Sequence, residues 1–535
     1  MGMSGERATG IQPGPDGRSC FRLGAMLIAL IVPALSIWAS TSAAGGETAL
    51  SATSSGDPSW PVYHQDAAGT GVAESVAAVD TAGPAWTSPR LDGALFGEPL
   101  VSSGQVFVAT ENDTVYALSS STGAVHWSTH LGTPVPSRSL PCGNITPTVG
   151  ITGTPVIDQA RSEIFVVADE MRNGNPAHVL VGLDTNSGRT EMTQDVDPSG
   201  SKPAALLQRT GLTLDANRVV FGFGGNYGDC SIYRGWLVGV DEAGGAPVAF
   251  EVDSASDESQ GGIWMGGGAP AVDNRGDLWV GVGNGSVTSS ELPYDHSDAV
   301  LELSSSLQLL QYFAPRSWAS DNANDLDLSM EPALLANGQV VAAGKSGAAY
   351  LLNGNRLGGI GGQEATVGSV CGDDVDGGTA VVGTTVFLPC LGGIVAVQAS
   401  ASPWSLHVLW RSRTGGGPPI VAAGLVWTIG QDGVLYGLDP STGAVKQQAS
   451  IGVPTNHFPT PSTGSGILVA TSADHVVAFA TSATTTPSAP SSPTTVPRPN
   501  GGGVPAGAIA AIAAIGIVIG ASVWLLHGRR RRGPT

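Results

Sequence analysis

The stretches Val115–Trp127, VYALSSSTGAVHW, and Leu435–Gln447, LYGLDPSTGAVKQ, are near copies of one strand-turn-strand unit. In each stretch apolar residues alternate with small or polar ones, as in a strand with one buried face. A Ser-Thr-Gly turn then leads into a second short run. A unit that recurs along a chain predicts a closed repeat architecture before any single residue is interpreted.

Weaker copies of the unit bring the total to eight. They begin at Leu180, Leu237, Val300, Ala349, Ile394 and Val476. A further strand-like run precedes each unit, as in QVFVATEN from Gln105, and helical periodicity of useful length is absent between Pro58 and Thr481. Sets of three or four short strands are typical of β-propeller blades. The sequence therefore predicts an all-β fold, an eight-bladed β-propeller of four-stranded antiparallel blades. Seven blades, or an unclosed run of hairpins or a sandwich, are the alternatives.

The two ends of the repeat region predict how the ring closes. The last unit, GILVATSADHVVAFAT, lacks both the Thr-Gly turn and a final strand. An orphan strand, AGPAWTSP, lies upstream of the first unit and carries Trp86 where that unit carries Trp127. We expect the orphan strand to complete the last blade, because this pairing removes an exposed sheet edge.

The composition agrees with a fold of many short strands, and the net charge excludes one class of partner. The 76 glycines and 13% charged residues suit many short strands joined by tight turns. The formal net charge is −20, and the repeat region contains no basic patch. Nucleic acid is excluded as a partner because phosphate binding needs clustered Lys and Arg.

The N-terminus resembles an export signal. Arg18 and Arg22 precede a largely apolar run, Leu23–Trp38, and small residues follow through Ala44. This layout predicts a signal peptide over residues 1–44, since the run is short for a membrane span. An uncleaved N-terminal anchor is the alternative.

The C-terminal region predicts a tether and a membrane span. Residues 481–503 are rich in Pro, Ser and Thr and are expected to form an extended linker. Residues 504–526 are uncharged and mostly apolar, and as a helix they would be about 34 Å long, enough to cross a bilayer. Four arginines, Arg529–Arg532, follow at once and favour a cytoplasmic location for the tail 527–535.

Together these segments predict a single-pass protein of the cytoplasmic membrane with residues 58–480 outside. Gly516 and Gly520 form a GxxxG pair in the predicted span, a pattern that can associate two helices into a weak dimer. In a span rich in Ala and Gly the same spacing also arises by chance.

Cysteine usage agrees with export. With Cys20 in the predicted signal, four cysteines are left, an even number that suits an oxidising compartment. Three pairings can be drawn. The short strand pair between Cys371 and Cys390 favours their disulfide, which leaves Cys142 with Cys230. No CxxC motif or His/Cys cluster predicts zinc or covalent haem.

The units with a TG-x-x-x-W turn resemble the tryptophan-docking repeats of pyrroloquinoline quinone (PQQ) dehydrogenases. The same repeat occurs in non-enzymatic relatives, such as an outer-membrane assembly lipoprotein with a PQQ-like propeller. The resemblance covers roughly residues 60–480 and is specific for the fold. It says little about activity, because one fold carries many functions.

Four local matches extend the resemblance to the dehydrogenase site. It implies that Trp264, in GGIWMGGG, forms the floor under the quinone and that Asn284, in GVGNGS, binds calcium. It implies that Asp325, in NDLDLS, is both the catalytic base and a calcium ligand, and that Lys345 contacts the quinone oxygens. Calcium prefers carboxylate and amide oxygens, and hydride abstraction from an alcohol needs a carboxylate base. Blade packing, a turn, a loop carboxylate and a solvated charge are the structural alternatives for these four residues.

Two departures from the family argue against enzyme activity. The adjacent cysteine pair that covers the quinone should fall in the second blade, where this chain reads DEMRNGNPAHVL. The calcium-binding Glu should fall in the third blade, where Asp229 is the available carboxylate. The chain also lacks a haem motif, so an active enzyme would need a separate electron acceptor.

The sequence therefore predicts a membrane-anchored extracytoplasmic propeller that acts as a binding or scaffolding module without a cofactor. Its partner would be an unidentified protein or cell-envelope ligand, contacted by the loops Pro136–Ile151 and Gly225–Gly235. The alternative is a Ca²⁺- and PQQ-dependent dehydrogenase of alcohols or sugars. A glycan- or wall-binding ectodomain is less favoured, since most of the twelve Trp lie at strand positions.

Overall fold

The computed structural model describes residues 59–483, except residues 329, 373 and 457. Several predicted features lie outside the described residues: the signal peptide, the linker beyond residue 483, the membrane span with Gly516 and Gly520, and the basic tail. Within the described part, no helix is both long and apolar enough to cross a membrane.

The strands form eight blades, as predicted, and each blade is an antiparallel sheet of strands that follow one another in the chain. The strands of blade 1 are Leu100–Ser102, Gln105–Ala109, Thr114–Ser119 and Val125–His130; of blade 2, Val156–Asp158, Glu163–Arg172, Asn175–Asp184 and Thr190–Asp195; of blade 3, Leu206–Leu207, Thr213–Asp215, Arg218–Gly225, Trp236–Asp241 and Val248–Glu251; and of blade 4, Ala271–Val272, Leu278–Val282, Ala299–Leu303 and Leu309–Ala314.

The second half of the ring repeats the pattern. The strands of blade 5 are Ala333–Leu334, Gln339–Ala343, Ala349–Asn353 and Ala365–Val367; of blade 6, Ala380–Val382, Thr385–Cys390, Gly393–Ala401 and Trp404–Arg411; of blade 7, Ile420–Ala422, Leu425–Ile429, Val434–Leu438 and Val445–Ser450; and of blade 8, Ser462–Gly464, Ile467–Ser472 and His475–Ala483.

Short elements decorate these blades. Gly359–Ile360 pairs in parallel with the last strand of blade 4, and Val72–Ala73 pairs in parallel with the first strand of blade 7. Val135–Pro136 and Thr148–Val149 form a separate two-stranded ribbon. The described helices are one α-helix, Trp318–Ala323, and the 3₁₀ turns Ser137–Ser139, Pro203–Ala205 and Met265–Gly267.

The N-terminal strands close the ring, as the sequence predicts. Val76–Val79 and Trp86–Thr87 both run antiparallel to the last strand of blade 8, His475–Ala483. Val76 stands opposite Ala483, so strand pairing continues three residues into the stretch predicted to be linker. Closure leaves blade 8 with a full set of strands and no long unpaired edge.

The glycine turns of the repeat units form contacts between neighbouring blades. Trp127 of blade 1 donates its indole N–H to the carbonyl of Thr185, 2.9 Å away in the turn of blade 2. Its ring packs on Gly188 of that turn, where a Cβ would come within 2.5 Å of the ring. Trp86 on Gly123 and Trp410 on Gly443 repeat the arrangement. Each glycine has φ near +70°, so it supplies both the turn and the space for the tryptophan of the preceding blade.

The hydrophobic core lies between the blades. Between blades 2 and 3, for example, Phe165, Leu180, Phe221 and Val238 are fully buried. The last strands of the blades instead alternate exposed and half-buried residues, as in Val125–His130. Burying one face of every sheet against the next sheet is the main source of stability for such a ring.

The segment 60–73, here called the strap, runs through the centre of the ring. Main-chain hydrogen bonds join it to the first strands of blades 1, 2, 4, 6 and 7, through Val101, Ile157, Val272, Val381 and Val421. Trp60 donates its indole N–H to the buried carboxylate of Glu98 at 2.9 Å, and the Tyr63 hydroxyl accepts the N–H of Gly378 at 2.9 Å. The strap therefore fills part of the central channel and ties opposite sides of the ring together.

Candidate functional site

Segments from around the ring surround a cavity of about 640 Å³, here called the axial cavity. Its wall is mostly polar and includes aromatic, amide, basic and acidic side chains. The lining residues include Phe96, Arg209, Tyr227, Asp229, Tyr233, Trp264, Asn284, Asp325, Asp327, Lys345, Asp374, Asp376, Gln431 and Phe458. This volume is typical of small-molecule sites in proteins.

Both disulfides restrain loops that line the axial cavity. Cys142–Cys230 joins the two loops that the sequence predicts as contact surfaces, and its half-cystines are 88 residues apart. Cys371–Cys390 encloses the loop that carries Asp374 and Asp376. Both pairings are those that the sequence favours. The disulfides thus hold two stretches of the cavity wall that have little regular structure of their own.

The four residues matched to the dehydrogenase site meet at the axial cavity. Trp264, Asn284, Asp325 and Lys345 all line it. The side-chain amide of Asn284 donates to the Asp325 carboxylate at 2.6 Å, and the Lys345 ammonium lies 3.6 Å from the same carboxylate. The Lys345 Nζ lies 5.7 Å from the centre of the Trp264 ring. These residues form one contiguous cluster on the wall.

Lys345 is held chiefly by Asp327, whose role the sequence does not single out. The Lys345 Nζ lies 2.6 Å from an Asp327 carboxylate oxygen. Burial alone would lower the pKa of Lys345, but the Asp327 carboxylate and its hydrogen bond raise that pKa above its ordinary value. Lys345 is therefore a permanent cation whose charge is already largely neutralised by Asp327.

Two hydrogen bonds donated by backbone N–H groups fix the position of Asp327, one to its carboxylate and one to its carbonyl oxygen. Asp327 accepts the backbone N–H of Asn284 at 2.7 Å, and Lys345 donates its backbone N–H to the Asp327 carbonyl at 2.9 Å. Asn284 follows the second strand of blade 4, and Lys345 follows the second strand of blade 5. The cluster therefore lies where two adjacent blades meet.

The geometry around Asn284 fits a hard cation. Its side-chain oxygen is buried and has no hydrogen-bond partner among the described residues. Asp325, with 73% of its side chain exposed, and Asp229 offer carboxylates nearby. Burial raises the pKa of Asp229, and the Tyr233 hydroxyl partly offsets this by donating to it. An unpartnered amide oxygen beside carboxylates is a donor set that Ca²⁺ prefers.

Trp264 owes its position to close-packed glycines. A Cβ at Gly262 would lie 3.0 Å from Trp264 Cδ1, and a Cβ at Gly224 would lie 3.1 Å from the same atom. A side chain at either position would crowd the indole and require it to shift by a few tenths of an ångström. Gly224 and Gly262 therefore leave room for the Trp264 indole at the axial cavity.

The lining of the axial cavity is acidic overall. Five aspartates line it, Asp229, Asp325, Asp327, Asp374 and Asp376, against the two basic residues Arg209 and Lys345. In a concave site charges of one sign reinforce one another, so the cavity favours neutral or cationic groups over polyanions.

The sequence does not reveal Arg209 or its aromatic neighbours as site residues. Arg209 lies between the two short inner strands of blade 3, and its guanidinium carbon lies 4.2 Å from the centre of the Phe458 ring and 5.5 Å from that of Phe96. These three residues come from distant parts of the chain. The available signal is weak: Arg209 is a single charged residue in the short connection between two inner strands.

A second carboxylate cluster lies away from the axial cavity. Asp273, Asp277 and Glu302 place carboxylate oxygens within 4.8 Å of one another in the described part of the chain. The guanidinium of Arg275 pairs with all three. This cluster is therefore a compensated ion-pair network.

Comparisons with known proteins agree with this architecture. Residues 72–287 match the family model described as outer membrane protein assembly factor BamB. The fold is similar to quinohemoprotein alcohol dehydrogenase from Comamonas testosteroni, with a TM-score of 0.57 and 15% identity over 79% of this chain and 80% of that chain. No curated protein sequence matches this chain significantly.

Two further structures share the fold. Quinohemoprotein alcohol dehydrogenase ADHIIG from Pseudomonas putida HK5 aligns with a TM-score of 0.59 and 14% identity over 83% of this chain and 82% of that chain. BamB from Moraxella catarrhalis aligns with a TM-score of 0.51 and 14% identity over 75% of this chain and 100% of that chain. The family match over residues 72–287 and the eight-bladed ring confirm the predicted resemblance to the PQQ-like β-propeller repeat family.

Proposed function

We propose that this protein is a binding module that holds a small ligand in the axial cavity and needs no quinone cofactor. The observation that carries the proposal is the cavity itself, about 640 Å³ in volume and lined by hydrogen-bonding side chains and by Trp264. Such a wall offers an apolar surface together with a few groups that orient a ligand. In this proposal residues 504–526 anchor the propeller outside the cytoplasmic membrane.

The charge of the wall supports a ligand other than PQQ. PQQ carries two or three negative charges, whereas the lining has three more acidic than basic residues. One calcium ion would not neutralise that excess. Lys345, the residue matched to the quinone contact, is already paired with Asp327. The blade 2 hairpin also lacks the cysteine pair that would cover a quinone.

The rim of the cavity supports a role in binding as well. In the disulfide-linked loop Gly225–Gly235, Tyr227 is 70% exposed and Ile232 is 71% exposed. Tyr227 also lines the cavity. Exposed aromatic and aliphatic side chains beside a pocket provide contact area for a bound molecule.

A Ca²⁺- and PQQ-dependent dehydrogenase is the second candidate, and the meeting of Trp264, Asn284, Asp325 and Lys345 favours it. In this candidate Asn284, Asp325 and Asp229 would hold the calcium ion, and Trp264 and Lys345 would contact the quinone. The bound quinone would supply a hydride acceptor. Asp325 would accept the proton of the alcohol, for which its exposed carboxylate is suitably placed on the wall.

Calorimetric titration of the full-length protein in detergent micelles with PQQ, with and without Ca²⁺, separates the two candidates. The binding module predicts no heat of binding and no shift in melting temperature. Tight, Ca²⁺-dependent binding that is lost on Asn284→Ala would overturn the cofactor-free proposal. Reduction of a redox dye with simple alcohols would then establish the dehydrogenase.

A further inference from the structure

Arg209 lines the axial cavity and has one buried N–H donor group without a hydrogen-bond partner among the described residues. Its side chain lines the cavity although the residue is only 6% exposed. One amino group, Nη1, lies 3.4 Å from the carbonyl oxygen of Thr152, a long hydrogen bond. The other amino group, Nη2, is buried and has no hydrogen-bond partner among the described residues. A buried guanidinium normally satisfies most of its five N–H donors. The Arg209 guanidinium therefore departs from the usual pattern.

The surroundings of Arg209 preserve its charge and fix its plane. Burial lowers its pKa, to about 10, so the guanidinium is still charged at neutral pH. The rings of Phe96 and Phe458 pack against the guanidinium, and Phe96 also accepts a hydrogen bond from Asn456 through its carbonyl, at 3.4 Å. Aromatic rings beside a guanidinium leave its N–H edge free for a planar carboxylate.

The blade 4 and 5 side of the cavity has the opposite character. Asp325 is largely exposed, and Asp229 lies close enough to Asp325 for the two carboxylates to repel each other. Lys345 offsets only part of this charge, since Asp327 holds it more closely, at 2.6 Å against 3.6 Å for Asp325. A donor group, and above all an ammonium group, would be attracted here. One part of the wall therefore carries the Arg209 guanidinium, whose charge interacts with Glu111 and Asp376, and another part carries the carboxylates of Asp229 and Asp325.

We infer that the ligand of the axial cavity is a small zwitterion, an amino acid or a compound of similar charge. Its carboxylate pairs with Arg209 beside Phe96 and Phe458, and its ammonium group faces Asp325 and Asp229. A ligand with no net charge also suits a wall whose acidic residues outnumber its basic ones. This inference rests on the proposed function of the cavity as a small-ligand site.

The test uses unbranched ω-amino acids from glycine to 8-aminooctanoate, so that the spacing between the two charges is sampled. Binding to the full-length protein in detergent micelles is measured by calorimetry. Each compound is compared with its amide, which removes the carboxylate, and with the matching acid that lacks the amino group. We expect at least one ω-amino acid to bind ten times more tightly than either control compound.

The variant Arg209→Gln should lower the affinity for that amino acid about tenfold and remove its advantage over the amide. Arg209→Lys, which keeps the charge, should retain part of the advantage, and circular dichroism shows whether each variant is folded. If Arg209→Gln does not fold, the comparison of acid and amide on the wild type and on Arg209→Lys decides the question.

Three results would overturn the inference. They are no binding by any member of the series, equal binding of acid and amide, and equal affinity in folded wild type and Arg209→Gln. If an amino acid and its amide bind equally well, the cavity is still a ligand site but Arg209 does not recognise a carboxylate. This result would overturn the inference and leave the proposed function intact.

Discussion

The ammonium group of Lys345 lies 2.6 Å from the carboxylate of Asp327, and their side chains are only 17% and 7% exposed. Asp327 also accepts the backbone N–H of Asn284. One buried carboxylate therefore organises two of the residues that line the axial cavity. Removing its cation leaves a buried negative charge with no nearby compensation, which is costly.

Lys345→Met should lower the free energy of unfolding by about 3 kcal/mol, because Asp327 would then be buried without its partner. The double variant Lys345→Met/Asp327→Leu should recover much of that loss. The matched control is Lys446→Met, since Lys446 pairs with Asp439 at 3.4 Å while 52% exposed. It should cost less than about 1 kcal/mol. Equal losses for Lys345 and Lys446 in denaturant unfolding would contradict this account of the pair.

Gly188→Ala tests the contact between blades. A Cβ at Gly188 would lie 2.5 Å from the Trp127 ring, and the residue has φ +69°. Gly174→Ala is the matched control, because Gly174 has φ +82° and no atom within 4 Å of the added Cβ. Both variants share a backbone cost of about 1 kcal/mol, and Gly188→Ala should lose at least that much again through the displaced indole. Similar melting temperatures for the two variants would show that the indole contact contributes nothing.

Asp113 should make the protein less stable at high pH. It is fully buried, and burial raises the pKa of its carboxyl to about 9, with further increases from Glu170, Asp169 and Glu111. Its pKa in the unfolded chain is about 3.9. Between these two pKa values the folded state binds more protons than the unfolded state, so stability falls as pH rises from about 4 to 9. Asp113→Asn should therefore raise the melting temperature more at pH 9 than at pH 5.

Asp439→Asn is the control for this prediction. The Ser441 hydroxyl donates to the Asp439 carboxylate and lowers its pKa to about 2, so Asp439 is ionised at both pH values. Its replacement should change the melting temperature equally at pH 5 and pH 9. The account of Asp113 fails if Asp113→Asn shows the same lack of pH dependence.

The disulfide between Cys142 and Cys230 should stabilise the rim. It closes a loop of 88 residues, whereas Cys371–Cys390 closes one of 19 residues. Replacing Cys142 and Cys230 by Ser should lower the free energy of unfolding by about 2–4 kcal/mol. Mass spectrometry of a non-reduced digest should find one cross-linked peptide pair containing Cys142 and Cys230. Any other pairing contradicts the arrangement of the two rim loops.

Much of the fold could be predicted from the sequence because the contacts between blades are themselves repeated. A glycine turn recurs in the repeat units, and the structure uses Gly123, Gly188 and Gly443 of these turns to receive Trp86, Trp127 and Trp410. The strap could not be predicted in this way. Its residues, such as Trp60 and Tyr63, form single contacts with different blades and follow no period.

The residues of the axial cavity were only partly predictable, because some lie in recognisable local motifs and others come together only in the folded ring. Trp264 and Asn284 lie in glycine-rich stretches that resemble known motifs, so local sequence singles them out. Arg209 and Phe458 are almost 250 residues apart and meet only because the ring is closed. The pairing of Lys345 with Asp327 likewise depends on how blades 4 and 5 are set against each other.

The central claim is that the axial cavity holds a small ligand, and native mass spectrometry tests it most directly. The full-length protein in detergent micelles is incubated with a small-molecule extract of the cells that produce it, and retained masses are compared with those of two variants. Gln431→Trp places a bulky side chain on the cavity wall, and Gln448→Trp places the same side chain on the exposed last strand of blade 7. We predict that wild type and Gln448→Trp retain the same small molecule and that Gln431→Trp loses it. Equal retention by all three proteins, or retention by none, would contradict the claim.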